Sequence, residues 1–306
     1  MTKPIVVLGS LNMDLSIQSP KMPIMGETMH GSGFMTSPGG KGGNQAVAMA
    51  RLGAAVYLIG CVGDDGFGHE LLDSLRHNAV RTDCVRVSGA VSTGIAMIVI
   101  VAGNNSIILD AGANLTISPD DIRASAAVIA DSQLLAAQFE VPVETVRTAF
   151  KLARQLGVTT LLNPSPTRML DEAFYRLIDI LIVNEHEARD LTGIDVSGPE
   201  QAAQAIDWFR ARGVRTPLVT LGRGGSVFPD GEEIRHCPIR PAEVVDTTGA
   251  GDTFLGALAV ALINDRPLAE AVSWATAASS ITVSRRGAQI ALPSQAEVAA
   301  LLASDV

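Results

Sequence analysis

The chain has 306 residues, of which 47% are hydrophobic and 18% charged. That supplies a sizeable core and argues against disorder. A net charge of −9 with no Lys/Arg-rich block argues against a nucleic-acid or polyanion surface. No apolar run reaches the roughly 18 residues of a membrane span, and the start lacks a signal-peptide layout. Cys61, Cys84 and Cys237 lack metal spacing and read as free thiols of a reducing cytoplasm.

Ile5 to Gly9 reads as a buried strand ended by glycine. Ser10-Leu11-Asn12-Met13-Asp14 leaves its C-terminal end, the edge where ligands bind in an open α/β sheet. Its polar residues are turn formers or ligands. Residues 15–36, rich in Met, Pro and Gly, suggest short strands or a flap. In Ser37 to Gln45, four glycines (Gly39, Gly40, Gly42, Gly43) surround Lys41 and let the backbone approach a ligand. This is no P-loop, because Gly42 stands where Ser or Thr is required. A helix begins near Asn44 and stops at Gly53. Val56 to Val62 is a strand and Phe67 to Asn78 an amphipathic helix. Strands over 91–101 and 106–109 pair through a Gly103-Asn104-Asn105 turn.

From Ser118, a helix N-cap, strands and helices alternate. Helices are expected over 119–130, 142–156, 184–191 and 200–212, and strands over 134–138, 159–163, 180–183 and 218–221. The turn Gly222-Arg223-Gly224-Gly225 and two short strands follow. The C-terminal helices span 252–262, 268–284 and 294–302, the last with a Ser294/Glu297 capping box. The alternation implies an α/β fold: a doubly wound, mainly parallel sheet with helices on both faces. The strand-only stretches, about 15–38 and 90–110, suggest a small β lid on what reads as one domain over 1–306.

Val244 to Phe254 is the densest cluster. Its acids, hydroxyls and glycines run into a helix start, where free N–H groups favour negative charge. Asp252 there is a helix cap or a base facing a substrate hydroxyl. Other polar groups also follow strands: Asn12, Asp14, Glu140, Asn163, Asn184, Glu187 and Gly222 to Gly225. In a doubly wound sheet such ends share one edge and suggest one cleft.

These motifs resemble the phosphofructokinase B (PfkB) family of carbohydrate kinases, and within it the ribokinases, over nearly the whole chain. The likeness rests on Gly9 to Asp14, Gly39 to Ala46, Asp110 to Asn114, Asn163 to Pro166, Asn184 to Glu187, Thr220 to Gly222, Asp246 to Phe254 and Arg286 to Gln289. It implies phosphorylation of D-ribose at the 5-hydroxyl by ATP. Asp252 would take the hydroxyl proton, and Gly249, Ala250 and Gly251 would form an anion hole. Asn12, Asp14, Gly40, Lys41, Gly42, Gly43, Asn44 and Glu140 match the sugar contacts. Asn184, with Thr220, Leu221, Gly222, Arg223, Gly224 and Gly225, matches the nucleotide side, which Gly251 and Asp252 adjoin. Glu187 would hold Mg²⁺ through water. Asp246, Thr248, Thr282, Arg285, Gly287 and Ala291 match a K⁺ site, with Ala291 where Ser is frequent. The resemblance also implies a homodimer paired through the lid.

Plainer readings stand beside these: a solvated helix acid for Glu187, an N-cap for Asn44, a loop charge for Lys41 and local packing for Met22, Met25, Met29 and Met35. Met13, bulkier than usual between Asn12 and Asp14, either narrows the sugar pocket or faces the core. Alternatives to ribose are 2-deoxyribose, fructose or a nucleoside, and beyond them a non-catalytic sugar-binding protein. A Rossmann dehydrogenase is excluded because no G-x-G-x-x-G follows the first strand.

Overall fold

A computed structural model describes residues 3–304. Strand β1 (Ile5–Leu8) sends alternate side chains to opposite faces of a sheet. Val6 and Leu8 enter one apolar layer, Ile5 and Val7 the other. The chain continues into β2 (Asn12–Gln18), β3 (Ser32–Gly39), α1 (Lys41–Arg51), β4 (Val56–Gly63) and α2 (Gly66–His77). Two short strands, β5 (Val80–Arg81) and β6 (Val85–Ser88), precede the hairpin β7 (Gly94–Val101) and β8 (Asn104–Asp110).

The alternating part follows: α3 (Pro119–Ala124), α4 (Ala126–Asp131), β9 (Leu134–Ala137), α5 (Val143–Gln155), β10 (Thr159–Leu162), α6 (Glu172–Tyr175), β11 (Ile180–Asn184), α7 (Glu185–Thr192), α8 (Pro199–Arg210) and β12 (Thr216–Thr220). The hairpin β13 (Ser226–Asp230) and β14 (Glu233–Cys237) leads to α9 (Ala250–Ile263), α10 (Leu268–Val283) and α11 (Gln295–Ala303).

The large sheet runs β14-β13-β12-β11-β10-β9-β1-β4-β5, with β6 against β4. It is parallel from β12 to β5, and β13 and β14 close one edge antiparallel. Helices α1, α2 and α9 to α11 cover one face and α3 to α8 the other. This is the doubly wound architecture expected. Strand order reverses at β1, with β4 added on one side and β9 to β12 on the other, so the switch point, where such sheets bind ligands, lies between β1 and β9. The strand-only stretches form a separate four-stranded sheet, β3-β2-β7-β8. Among the described residues no helix is long and apolar enough to cross a membrane.

Several boundaries differ from expectation. α1 starts at Lys41, not near Asn44, because Gly40 at φ 82° caps it. Gly42 then lies in its first turn, where a Cβ would sit 2.5 Å from the Gly9 carbonyl carbon. Glycine there lowers helix propensity but permits the close approach. The helix expected over 119–130 breaks into α3 and α4 at Ser125, whose hydroxyl donates back to the Asp121 carbonyl at 2.9 Å. The β7–β8 turn is Ala102-Gly103, both with positive φ (48° and 81°), as a tight twisted hairpin requires. Asn104 and Asn105 are already strand. Met13 is fully buried, so it faces the core. Met22, Met25 and Met35 are exposed, which excludes local packing for those three.

Candidate active site

Helix α9 positions the central acid. Gly249 caps it at φ 77°, in the left-handed region that glycine enters freely. The first intrahelical bond runs from Thr253 N to the Gly249 carbonyl, at 2.8 Å. The N–H groups of Gly251 and Asp252 precede it and belong to the helix's open end. Gly249, Gly251 and Asp252 line a cavity of about 250 Å³, shared with Lys41, Thr247, Asn184, Glu187 and Thr220. A Cβ on Gly251 would meet nothing within 4 Å among the described residues. The fold therefore does not demand glycine there, whereas a ligand brought against the helix end would.

Asp252 does not cap α9. Its carboxylate turns toward α1, accepting from Asn44 Nδ2 at 3.1 Å on Oδ2 and from Gln45 Nε2 at 3.0 Å on Oδ1. Asn44, in turn, is no N-cap. Close packing sets this up: a Cβ on Gly256, one turn beyond Asp252, would lie 2.9 Å from Ala48 Cβ. Burial pushes the Asp252 carboxyl up, opposed by Lys41, Gln45 and Asn44. For Lys41, burial works to lower the pKa, but Asp252, Glu140 and Glu187 outweigh it and raise the value. Lys41 is thus held as a cation among carboxylates, not as a solvated loop charge.

The expected sugar residues gather at the switch point. Glu140, two residues beyond the switch-point Gln138, accepts on Oε2 from Ser10 Oγ (2.5 Å), Lys41 N (3.2 Å) and Asn12 Nδ2 (3.5 Å). Asn12 begins β2 and accepts on Oδ1 from Asn114 Nδ2 at 2.8 Å. Asn114 also accepts from Leu11 N and donates to the Leu11 carbonyl. Asp14 sits over Gly39, where a Cβ would be 2.4 Å from its oxygens. Burial, then Glu140 and Asp252, push the Asp14 carboxyl up from 3.8 to about 7.

On the other side, Asn184 caps α7. Its Oδ1 accepts from Glu187 N (2.9 Å), and Glu187 Oε2 accepts from Asn184 N (3.0 Å) and Asn163 Nδ2 (3.3 Å). Glu187 is 8% exposed, which excludes a solvated helix acid. Of the expected nucleotide loop only Thr220 lines the cavity. Leu221 is buried, while Gly222, Arg223 and Gly224 form an exposed turn and Gly225 is pinned against the Cys237 carbonyl.

The cation candidates meet in part. Asp246 accepts from Thr248 N and Oγ1 on Oδ1 and from Gly287 N on Oδ2, which joins two loops. Burial alone would raise this carboxyl, but those bonds hold it below its usual range. The Thr282 hydroxyl donates to the Ala278 carbonyl and bonds Thr253 Oγ1, the Arg285 guanidinium pairs with Glu297, and Ala291 is buried in a short turn. Their side chains therefore do not face one common point. Ser10, Gln45, Asn114, Gln138 and Asn163 were not assigned roles from sequence. Strand-end position already marked Ser10 and Asn163 as polar groups at the sheet edge, and the same signal could have found Gln138.

This constellation is that of a sugar kinase in outline: a buried carboxylate at an open helix end, beside an oxygen-rich cavity. The chain matches the description "pfkB family carbohydrate kinase" over residues 2–295, and it belongs to that family. It is 40% identical to a ribokinase of Bacillus subtilis, covering 97% of this chain and 99% of that one. It is 34% identical to a deoxyribokinase of Salmonella typhi over 95% of each. A solved ribokinase of Arabidopsis thaliana, complexed with ribose and ATP, superimposes with a TM-score of 0.91 at 34% identity, covering 99% of each chain.

Proposed function

We propose that the chain transfers the γ-phosphoryl group of ATP to the 5-hydroxyl of D-ribose, giving D-ribose 5-phosphate and ADP. The observation that carries this is Asp252, buried and oriented by Asn44 and Gln45 beside an open helix end. The hydroxyl oxygen attacks the γ-phosphorus, its proton passes to Asp252, and the bond to the β-phosphate oxygen breaks. A carboxyl raised by burial is a stronger base than an exposed one. Transfer of this kind depends mainly on positioning and charge neutralisation. The N–H groups of Gly249 and Gly251, and that of Ala250 once it leaves the Thr247 carbonyl it bonds at 3.2 Å, would receive the transferring group, and Lys41 would offset its charge.

Asn12, Asp14, Gly40, Gly42, Gly43, Asn44 and Glu140 would hold the sugar. A carboxylate accepts two hydrogen bonds, so Asp14 suits vicinal hydroxyls and favours ribose over 2-deoxyribose. Asn184, Thr220 and the 221–225 turn would meet the nucleotide. The hard oxygen donors of Glu187, Asn184 and Asn163 fit Mg²⁺, which when bound with ATP neutralises phosphate charge. Asp246, Thr248, Thr282, Arg285, Gly287 and Ala291 would hold K⁺ chiefly through backbone carbonyls, with Asp246 binding the two loops together.

The small sheet, from about 15–38 and 90–110, would act as a lid of the one kinase domain over 1–306. Closure would exclude water from the transfer. Its exposed Phe34, Met97, Ile107 and Ile108 favour pairing with a second copy. Free, unpaired cysteines support a cytoplasmic setting. A coupled ADP-release assay across ribose, 2-deoxyribose, fructose and adenosine, run in K⁺ and in Na⁺, tests this reading. Ribose in K⁺ should give the highest kcat/KM. Turnover of no sugar would favour a binding protein, and equal rates in the two salts would remove the K⁺ site.

A further inference from the structure

Two buried glutamines link the switch point of the sheet to Asp252. Leu8 ends β1, and its carbonyl accepts from Gln138 Nε2 at 3.3 Å. The same nitrogen donates to Gln45 Oε1 at 3.1 Å, and Gln45 Nε2 donates to Asp252 Oδ1 at 3.0 Å. Both glutamines are 0% exposed. Buried amides cost free energy unless bonded, and a methionine of similar volume would fill either space without that cost.

The polarity of this chain is forced from its far end. A backbone carbonyl accepts and cannot donate. Gln138 must therefore turn its amide nitrogen toward Leu8, and the second N–H of that nitrogen selects the oxygen of Gln45. Gln45 then presents its own N–H to Asp252. Gln138 Oε1 is left buried and without a partner among the described residues. Flipping that amide to rescue it would set oxygen against oxygen at Leu8. Gly9 keeps the lane open, since a Cβ there would lie 2.3 Å from Gln138 Nε2.

We infer that Gln45 and Gln138 are positioning residues for phosphoryl transfer, holding Asp252 as an acceptor-only carboxylate turned toward the sugar hydroxyl. This rests on the proposed kinase reading. Asn44 Nδ2 occupies the second oxygen of Asp252 at 3.1 Å. An N–H on each oxygen favours the ionised form and offsets part of the effect of burial, while each oxygen keeps a second lone pair for the sugar proton. The charged groups facing Asp252 are Lys41 of α1, Glu140 beyond β9 and Asp14 of β2. Substituting either glutamine leaves all three in place.

Gln45→Met and Gln138→Met keep the volume and remove the amides. In each, the acid limb of the kcat/KM profile should move up by about one pH unit, the worth of one hydrogen bond to a charged group. The kcat at pH 7 should fall roughly tenfold, while the KM for ribose stays within about threefold. A second readout needs no turnover: the ¹³C resonance of the Asp252 carboxyl, assigned with Asp252→Asn, should titrate at correspondingly higher pH in both variants. A wild-type protein that phosphorylates no sugar sinks the kinase reading, while the carbon titration still decides the relay. A melting temperature that falls with both pH readouts unmoved would overturn it. If the methionine variants do not fold, Gln45→Asn replaces them. Its shorter, uncharged amide cannot reach both Gln138 and Asp252, so the same upward movement is expected and its absence overturns the relay.

Discussion

Asp14 carries an ionisation cost that the free protein bears and the proposed sugar would exploit. Its carboxyl is pushed from 3.8 to about 7 by burial and by the neighbouring Glu140 and Asp252. The folded value lies above the unfolded one, so this contribution to stability is full below about pH 4 and is lost as pH rises through about 7. At about 1.4 kcal/mol per pH unit the ceiling on the loss is about 4 kcal/mol. Asp14→Asn removes the ionisation. It should therefore be more stable than the wild type by about 2 kcal/mol at pH 5 and about 4 kcal/mol at pH 8, both ceilings set by linkage. Urea unfolding at each pH, taken as the difference between the two proteins, cancels the titrations not coupled to Asp14 and leaves this group with its neighbours Glu140 and Asp252. A difference that stays constant from pH 5 to 8 refutes the reasoning. Ribose hydroxyls donate to the ionised form, so wild-type affinity should weaken about tenfold per pH unit below 7. In Asp14→Asn binding should be weak at every pH. Calorimetric titration of ribose measures both.

Gly251→Ala tests the open helix end. Space around the new methyl predicts an unchanged melting temperature, while activity should fall at least roughly tenfold through contact with the transferring group. Retained activity would show that no ligand approaches there. Glu187→Gln should raise the Mg²⁺ concentration needed for half-maximal rate by roughly tenfold, with little change in the KM for ribose. An unaltered Mg²⁺ requirement would leave Glu187 as the α7 capping partner alone.

The doubly wound fold was legible because β9, β10 and β11 are short apolar runs each followed by a helix, and caps such as Asn184 and Ser294 mark helix starts. Strand ends also named most of the site, since one physical rule gathers Glu140, Asn184 and Glu187 along one edge. The relay was not legible. Gln138 and Gln45 lie 93 residues apart and meet only because β9 and β1 are neighbours at the switch point, which no local pattern encodes. The start of α1 was hidden for a related reason. Four glycines before Asn44 read as loop, yet Gly42 and Gly43 lie inside the helix, and the tertiary approach to Gly9 requires glycine at the first of them. The motif at 220–225 likewise does not tell that Thr220 lines the cavity while Gly222, Arg223 and Gly224 form an exposed turn beside it.

Glycine separates what sequence can tell from what needs coordinates. At Gly9 and Gly42 a Cβ would collide with protein at 2.3 and 2.5 Å, so the fold selects the residue. At Gly249 the backbone angle selects it, at φ 77°. At Gly251 neither applies: its φ is not in the left-handed region and its surroundings are open. It lines the same cavity as Lys41 and Asp252. Of these positions, Gly251 is where the missing side chain points to a ligand and not to packing. The sequence motif shows the same letter at all of them, so only the geometry isolates the residue whose substitution should damage chemistry without damaging the fold.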